Sequence, residues 1–212
     1  ELLKQEREEA LAWIEAGKWE EGRDQLLSIL NNQQADANLR NQIGSDLYRI
    51  AERENWDTPS PPIEEWIQKD PRVKGNGDRL STDGEAIFTP SGMKLVTGIS
   101  MKFRIDRIGE TGRIGLEVWS TVVNSPVRFF ITRDKLRLKY VNTGQESAIG
   151  LTGKPKGSWI TLSVIRFGKV VLFYMNKKLL WISKSGHFLL RDGNGFYFQD
   201  VHAKLGHLKV LP

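Results

Sequence analysis

The sequence predicts a mainly β protein: an antiparallel two-sheet sandwich preceded by a small N-terminal α-helical subdomain. Three observations carry this. Ser158 to Ile182 (SWITLSVIRFGKVVLFYMNKKLLWI) reads as strands at Trp159–Phe167 and Val170–Tyr174 around a turn at Gly168-Lys169, then a turn at Asn176-Lys177-Lys178 into Leu179–Ile182. β-branched and aromatic residues fill the runs, and Gly and Asn mark the turns. From about residue 70 onward, turn signals recur at roughly the eight- to twelve-residue spacing of a sandwich, giving roughly ten to twelve short strands. Residues 1–55, by contrast, hold no Pro and repeat apolar residues at three- and four-residue steps.

The helical stripes are Leu3, Ala10, Leu11 and Ile14, with the stem of Arg7 filling a gap; then Trp19, Leu26, Leu27 and Leu30; then Leu39, Ile43, Leu47, Ile50 and Ala51 behind Asp36 as N-cap. Gly17 stops the first helix and Asn31-Asn32 the second. Each helix is apolar on one side only, so each must pack. Pro59, Pro61 and Pro62 in WDTPSPP favour extended chain and mark a boundary. The expected layout is a helical adaptor over 1–57, a Pro-rich linker over 58–71 with one helical turn near Ile63–Ile67, and a sandwich over 72–212.

Within the sandwich, Gly75 to Asp78 reads as a turn, Asp83-Gly84 leads into Glu85–Phe88, and residues 94–96 make a short run. Ser100–Asp106 alternates Met101, Phe103 and Ile105 with Lys102, Arg104 and Asp106, so it is half-buried. Gly109–Gly112 reads as a reversing turn before a strand at Ile114–Val123. Val127–Thr132 follows, and three short strands at 186–190, 194–199 and 205–211 close the chain. Phe103, Val118, Phe129, Leu138, Leu162, Val164, Val171 and Phe173 are the expected core.

Composition bounds function more weakly. With 39% hydrophobic and 27% charged residues, the chain is ordinary for a water-soluble domain, and no run approaches a membrane span. It has no cysteine, which excludes disulfides, thiolate metal sites and a cysteine nucleophile. It starts at Glu1, which predicts a trimmed or processed chain, and export to periplasm or exterior is favoured over the cytoplasm. Residues 1–57 carry 7 Lys+Arg against 13 Asp+Glu, net −6; residues 58–212 carry 24 against 13, net +11. An anionic partner for the basic half accounts for this, and so does mutual attraction of the two halves or simple solvation of both charges.

The sharpest charge pattern is Arg133, Lys135, Arg137 and Lys139, alternating with Asp134, Leu136, Leu138 and Tyr140. At period two the cations share one strand face, where like charges repel unless anions or acidic side chains lie across from them. That face is either a solvated surface protected against edge pairing or the floor of a groove for an anionic ligand. Trp119 joins the four cations as a candidate ligand-binding residue, because an indole can stack on a sugar ring. Catalytic signals are missing: Glu117 has no carboxylate two or four residues away, and no serine sits in a nucleophile elbow. Nor does Gly75–Asp78 continue as a phosphate loop. His202 and His207, five apart on one strand, are expected on opposite faces, and with His187 they make no metal set. Asp and Glu scattered among the basic strands weigh against nucleic acid.

Two resemblances follow from these residues. ALAWIEAGKWEEGRDQLLSIL, with small Ala10 and Gly22, Gly17 at the bend and Trp19 after it, resembles one helical hairpin of a tetratricopeptide array. The order of features over about 72–211 resembles the concanavalin A-like, laminin-G-like jelly-roll family: GSWITLSVIRFGKVVLFYMNKKLLW as a Trp-opened strand pair, and GNGFYFQDVHAKLGHLKVL as a closing pair. That family includes glucanases, lectins and interaction modules. The glucanase motif of two Glu around an Asp at alternate positions is absent. Calcium in the family uses loop oxygens, for which Asp192, Asn194 and Asp200 are the candidates here; no other cofactor is expected. The resemblance implies a non-catalytic binding module for an anionic glycan or an acidic protein surface. A protein partner would meet the N-terminal helices. The other readings are a carbohydrate-active hydrolase of this fold and a structural assembly module.

Overall fold

The computed structural model describes residues 1–58, 62–90, 97–151, 157–183, 188–189 and 195–211. Among these are four helices and twelve strands, in two compact units: Glu1–Asn55 with Lys177–Leu179, and Trp56–Asn176 with Leu180–Pro212. The run expected at 94–96, His187, Asp192 and Asn194 lie outside the described residues. Among the described residues no helix is long and apolar enough to cross a membrane.

The first unit holds α1 (Leu2–Glu15), α2 (Trp19–Asn31) and α3 (Ala37–Glu52). Ala10, Ile14, Leu26, Ile29, Leu30, Ile43 and Leu47 form its core. Gly22 lets α2 meet α1 closely, since a Cβ there would lie 2.5 Å from Ile14 Cγ1 and 2.6 Å from the Ala10 carbonyl. Asp36 caps α3 by accepting a hydrogen bond from the Leu39 amide at 2.7 Å. Arg7 completes the α1 stripe, its stem half-buried and its Nε 2.7 Å from the buried Asp46 carboxylate. One expectation fails: Trp19 is 39% exposed with the Arg53 guanidinium over its ring, and Ile29 takes the buried place. Helix α2 simply turns its Leu26–Ile29–Leu30 edge inward.

The second unit opens with α4 (Ile63–Lys69) and continues as β1 (Val73–Asn76), β2 (Arg79–Thr82), β3 (Glu85–Phe88), β4 (Gly98–Ser120), β5 (Ser125–Ile131), β6 (Lys135–Tyr140), β7 (Glu146–Leu151), β8 (Trp159–Phe167), β9 (Val170–Met175), β10 (Lys178–Ser183), β11 (Phe188–Leu189) and β12 (Gly195–Leu211). All pairings with a resolved register are antiparallel. The strands form one hydrogen-bonded network folded into two layers, because β4 and β12 are long enough to serve in both. The first layer runs β10-β9-β8-β4-β12-β2-β1, using Gly98–Arg107 of β4 and the C-terminal part of β12. The second runs β3-β12-β4-β5-β6-β7, using Ile114–Ser120 and the start of β12. Phe129 of β5 meets Phe173 of β9 edge-on at 5.3 Å between the layers, and Trp181 and Phe188 join them. Trp66 of α4 packs on Phe88 and Phe198 at 5.3 and 5.8 Å, so the segment after Pro62 is tied to the core. All eight expected core residues are buried.

The turns of β8–β9–β10 follow from residue type. Gly168 has φ +58, and Asn176 and Lys177 have φ +51 and +67, the pair of positive values a tight primed hairpin needs. Asn176 adds a bond from the Thr161 amide to its Oδ1 at 2.8 Å.

Three expectations are corrected. Gly109–Gly112 does not reverse the chain. On β12, Gln199 pairs with Arg113 and Val201 with Ile108, so four residues of β4 bulge out opposite Asp200 and the strand continues in the same direction. For the same reason the two closing strands expected at 194–199 and 205–211 are one strand, bent at Asp200 (φ +43). Gly75-Asn76 belong to β1 rather than to a turn; Gly75 allows close approach to β2, since a Cβ there would lie 2.7 Å from the Arg79 carbonyl.

Candidate ligand-binding face

The outer face of the second layer collects the side chains that alternate with the core. Ile114, Leu116 and Val118 point inward, leaving Arg113, Gly115, Glu117 and Trp119 outward. On β5, Phe129 is inward and Arg128 and Phe130 outward; on β6, Leu136 and Leu138 are inward and Lys135, Arg137 and Lys139 outward. Registry then lines these up across strands. One row reads Glu117, Arg128, Lys139, Glu146; the next reads Ile87, Tyr197, Gly115, Phe130, Arg137.

Gly115 makes the second row possible. A Cβ there would sit 2.7 Å from Phe130 Cβ and closer still to the Phe129 carbonyl. Without it, Phe130 and Tyr197 meet edge-to-face at 5.9 Å, and both are fully buried. Two polar groups lie over this aromatic pair. The Arg128 guanidinium rests 4.2 Å above the Tyr197 ring. Its two terminal nitrogens donate to both Glu85 oxygens at 2.7 Å, and its Nε donates to Glu117 at 3.0 Å. On the other side Arg113 sits 4.9 Å above the Phe130 ring and shares Glu146 with Arg137, at 3.5 and 3.0 Å.

The first of these groups is well buried: Arg128 is 7% exposed and Glu117 9%, while Glu85 is 45% exposed. Burial dominates Glu117 and pushes its carboxyl above the ordinary value, with the hydrogen bond and charge of Arg128 pulling back. Burial also works against the Arg128 charge, but its bonds to Glu85 and Glu117 outweigh that and hold it firmly protonated. Burial raises the Tyr197 hydroxyl as well. A bidentate, charge-assisted pair of this kind sets the positions of both carboxylates.

Of the residues expected to bind ligand, Lys135, Arg137 and Lys139 share this face, half-buried, and Trp119 lies on it opposite Pro126. Arg133 does not: it is exposed in the bend before β6, because the strand begins only at Lys135. The cations are also not a free row, since Arg137 is paired with Glu146. Nothing in the local sequence marks Glu85, Arg128 and Tyr197 as residues of this face. They sit on three strands far apart in sequence. Glu117, read as a carboxylate without a partner, meets Glu85 through Arg128.

The histidines are also corrected. Bulging at Gly206 shifts the register between Leu205 and His207, so His202 and His207 face outward on the same side. His207 lies 3.5 Å from Ser100, which bonds Ser163 at 2.8 Å; burial, then Lys209 and Lys102, pushes the imidazole down to about 4. Among the described residues no group of three or more His, Asp or Glu could hold a metal ion. Asp200 accepts from the Gly84 amide at 2.7 Å and from the Thr111 hydroxyl at 2.5 Å.

No protein-family model matches the chain, and no curated protein does. Solved structures do. A structure described as Crh5 transglycosylase in complex with NAG aligns with TM-score 0.51 at 6% identity, over 74% of this chain and 78% of that one. A structure described under endo-acting O-glycanases of the human gut microbiota that initiate mucin breakdown aligns with TM-score 0.51 at 10% identity, over 73% and 88%. The carbohydrate binding module CBM66 from Bacillus subtilis aligns with TM-score 0.48 at 14% identity, over 65% and 90%. At such identity the likeness to the first two is one of fold: the chain is a mainly β, antiparallel jelly-roll sandwich preceded by helices.

Proposed function

We propose that this protein is a non-catalytic glycan-binding module that uses the outer face of the second layer. The observation that carries the reading is that two carboxylates of that face, Glu85 and Glu117, are held by one guanidinium. A hydrolase of this architecture needs one carboxyl free to give a proton and a second free to attack or to activate water. Here Arg128 fills the space between them and hydrogen-bonds both, so the group serves as a rigid floor. Around it stand a half-exposed indole, Trp119, and the ammonium groups of Lys135 and Lys139, which suit a sugar ring and its hydroxyl or acidic substituents. Structures of similar fold described as a transglycosylase holding NAG and as O-glycanases support carbohydrate as the ligand class.

The test is calorimetric titration of the full chain with N-acetylglucosamine oligomers, β-glucan oligomers and released mucin O-glycans, alongside a reducing-end assay. Binding to at least one of them, weakened about tenfold by Trp119→Ala and without reducing-end release, is the expected result. Glycan cleavage that disappears in Glu117→Gln would replace the proposal with the hydrolase reading, for which the raised Glu117 carboxyl is the specific support. Absence of binding to all three would refute it.

A further inference from the structure

The first layer carries its own polar row on its outer face. Registry places Lys74 opposite Ser81, Ser81 opposite His202 and His202 opposite Arg107, four neighbouring strands in line. Beside it runs a second row, Asn76, Arg79, Lys204 and Arg104. Lys74, Arg79, Arg107 and His202 are exposed and line an open groove of about 440 Å³.

Cations stacked across a sheet repel, so folding gains nothing from them. Nor are they all neutralised. Lys204 is paired with Asp78 at 2.8 Å and Arg104 with Asp106 at 3.3 Å. Arg79 feels Asp78 at longer range. Lys74 and Arg107 form no ion pair among the described residues. Strands lie about 4.8 Å apart, so the row from Lys74 to Arg107 spans about 14 Å, room for several anionic groups in series.

We propose that this groove binds an acidic glycan, a chain carrying uronate carboxylates or sulfates. Lys74, Arg79 and Arg107 meet the anionic groups, and Asn76 and Ser81, set between them, meet the hydroxyls. Two features favour sugar over nucleic acid. The carboxylates Asp78 and Asp106 stand in or beside the groove, where they accept from hydroxyls but repel an unbroken line of phosphates. And successive bases need successive aromatic platforms. The neighbouring exposed aromatic, Trp159, already has Lys102 and Arg104 over its ring, at 5.3 and 5.8 Å. The site is separate from the face around Trp119 and does not depend on that reading.

The test uses the full chain with heparin and polygalacturonate as acidic probes, dextran as a neutral one and oligo-dT as a phosphate polymer. The wild type should bind at least one acidic glycan, more weakly as salt rises. Lys74→Ser/Arg79→Ser/Arg107→Ser should bind it at least about tenfold less tightly, with a flatter salt dependence. The control Lys18→Ser/Lys169→Ser, at exposed positions outside both faces, should bind it as the wild type does. All three changes are at exposed positions, and an unchanged melting transition checks the fold. Equal binding by the triple variant overturns the proposal. So does equal loss in the control, or tighter binding of oligo-dT than of either acidic glycan through the same three residues.

Discussion

Arg128→Met isolates what the buried ion group contributes. The change keeps an unbranched stem over Tyr197 but removes the charge that faces Glu117 at 3.0 Å and Glu85 at 2.7 Å. Glu85 is 45% exposed and returns to water, so its part of the loss is under about 1 kcal/mol. Glu117, 9% exposed, is left as a buried charge without a partner, a loss of about 3–5 kcal/mol for such pairs. The protein has one way to relieve this, protonation of Glu117. Burial already lifts that carboxyl above 4.5, and losing Arg128 removes the pull that restrains it. A carboxyl whose folded pKa exceeds its unfolded value binds more protons in the folded state, so stability falls as pH rises between the two values. The variant should therefore lie nearest the wild type at about pH 5 and furthest from it at about pH 8, in urea unfolding of both proteins. Adding Glu117→Gln removes the orphaned charge and should recover at least about half of the loss and flatten its pH dependence. A loss below about 1 kcal/mol, a loss equal at both pH values, or a double variant no better than the single one would refute the buried-pair account.

Gly115→Ala should destabilise by about 1–3 kcal/mol or more in the same unfolding assay, since the new methyl meets Phe129 and Phe130 backbone that cannot retreat. His207, with its imidazole pushed down to about 4, should give stability that is complete above its unfolded value near 6.5 and is lost as pH falls toward 4. NMR titration of the ring and a shallower acid slope in His207→Gln check this. Asp36→Ala, which deletes the bond to the Leu39 amide, should cost the helical unit about 1 kcal/mol, read as earlier loss of helical circular dichroism in urea.

What was legible in the sequence had a local cause. The β8–β9–β10 turns are readable because Gly168 and Asn176 supply the positive φ that they demand, and the α3 start because Asp36 stands three residues before Leu39. The alternation of β6 was readable because its Leu residues must go inward. What failed depends on residues elsewhere. Gly109 and Gly112 look like a turn until β12 is seen to pair on both sides of them. His202 and His207 looked opposed until the bulge at Gly206 changed the parity. Lys74, His202 and Arg107 become one row only because β12, distant in sequence, pairs with both β2 and β4. Glu117 has no partner in the local sequence because Arg128 and Glu85 reach it from β5 and β3.

The bulge at Gly109–Gly112 links the two faces. Strands that pass from one layer to another need a corner, and bulges make it. Here Asp200 fixes the corner: its carboxylate takes the Thr111 hydroxyl and the Gly84 amide, and those bonds hold its pKa below the ordinary carboxylate value. Ile114 lies in the core and Ile108 packs against it across the excursion, and β4 pairs with β12 on both sides of it. Both candidate faces are therefore carried by the same two strands. Moving the register at this corner by one residue would exchange core and surface in one layer while leaving the other intact. That asymmetry makes the corner, which adjoins Arg107 and His202 of one groove and Arg113 of the other face, the place where a short insertion should do most harm to ligand binding.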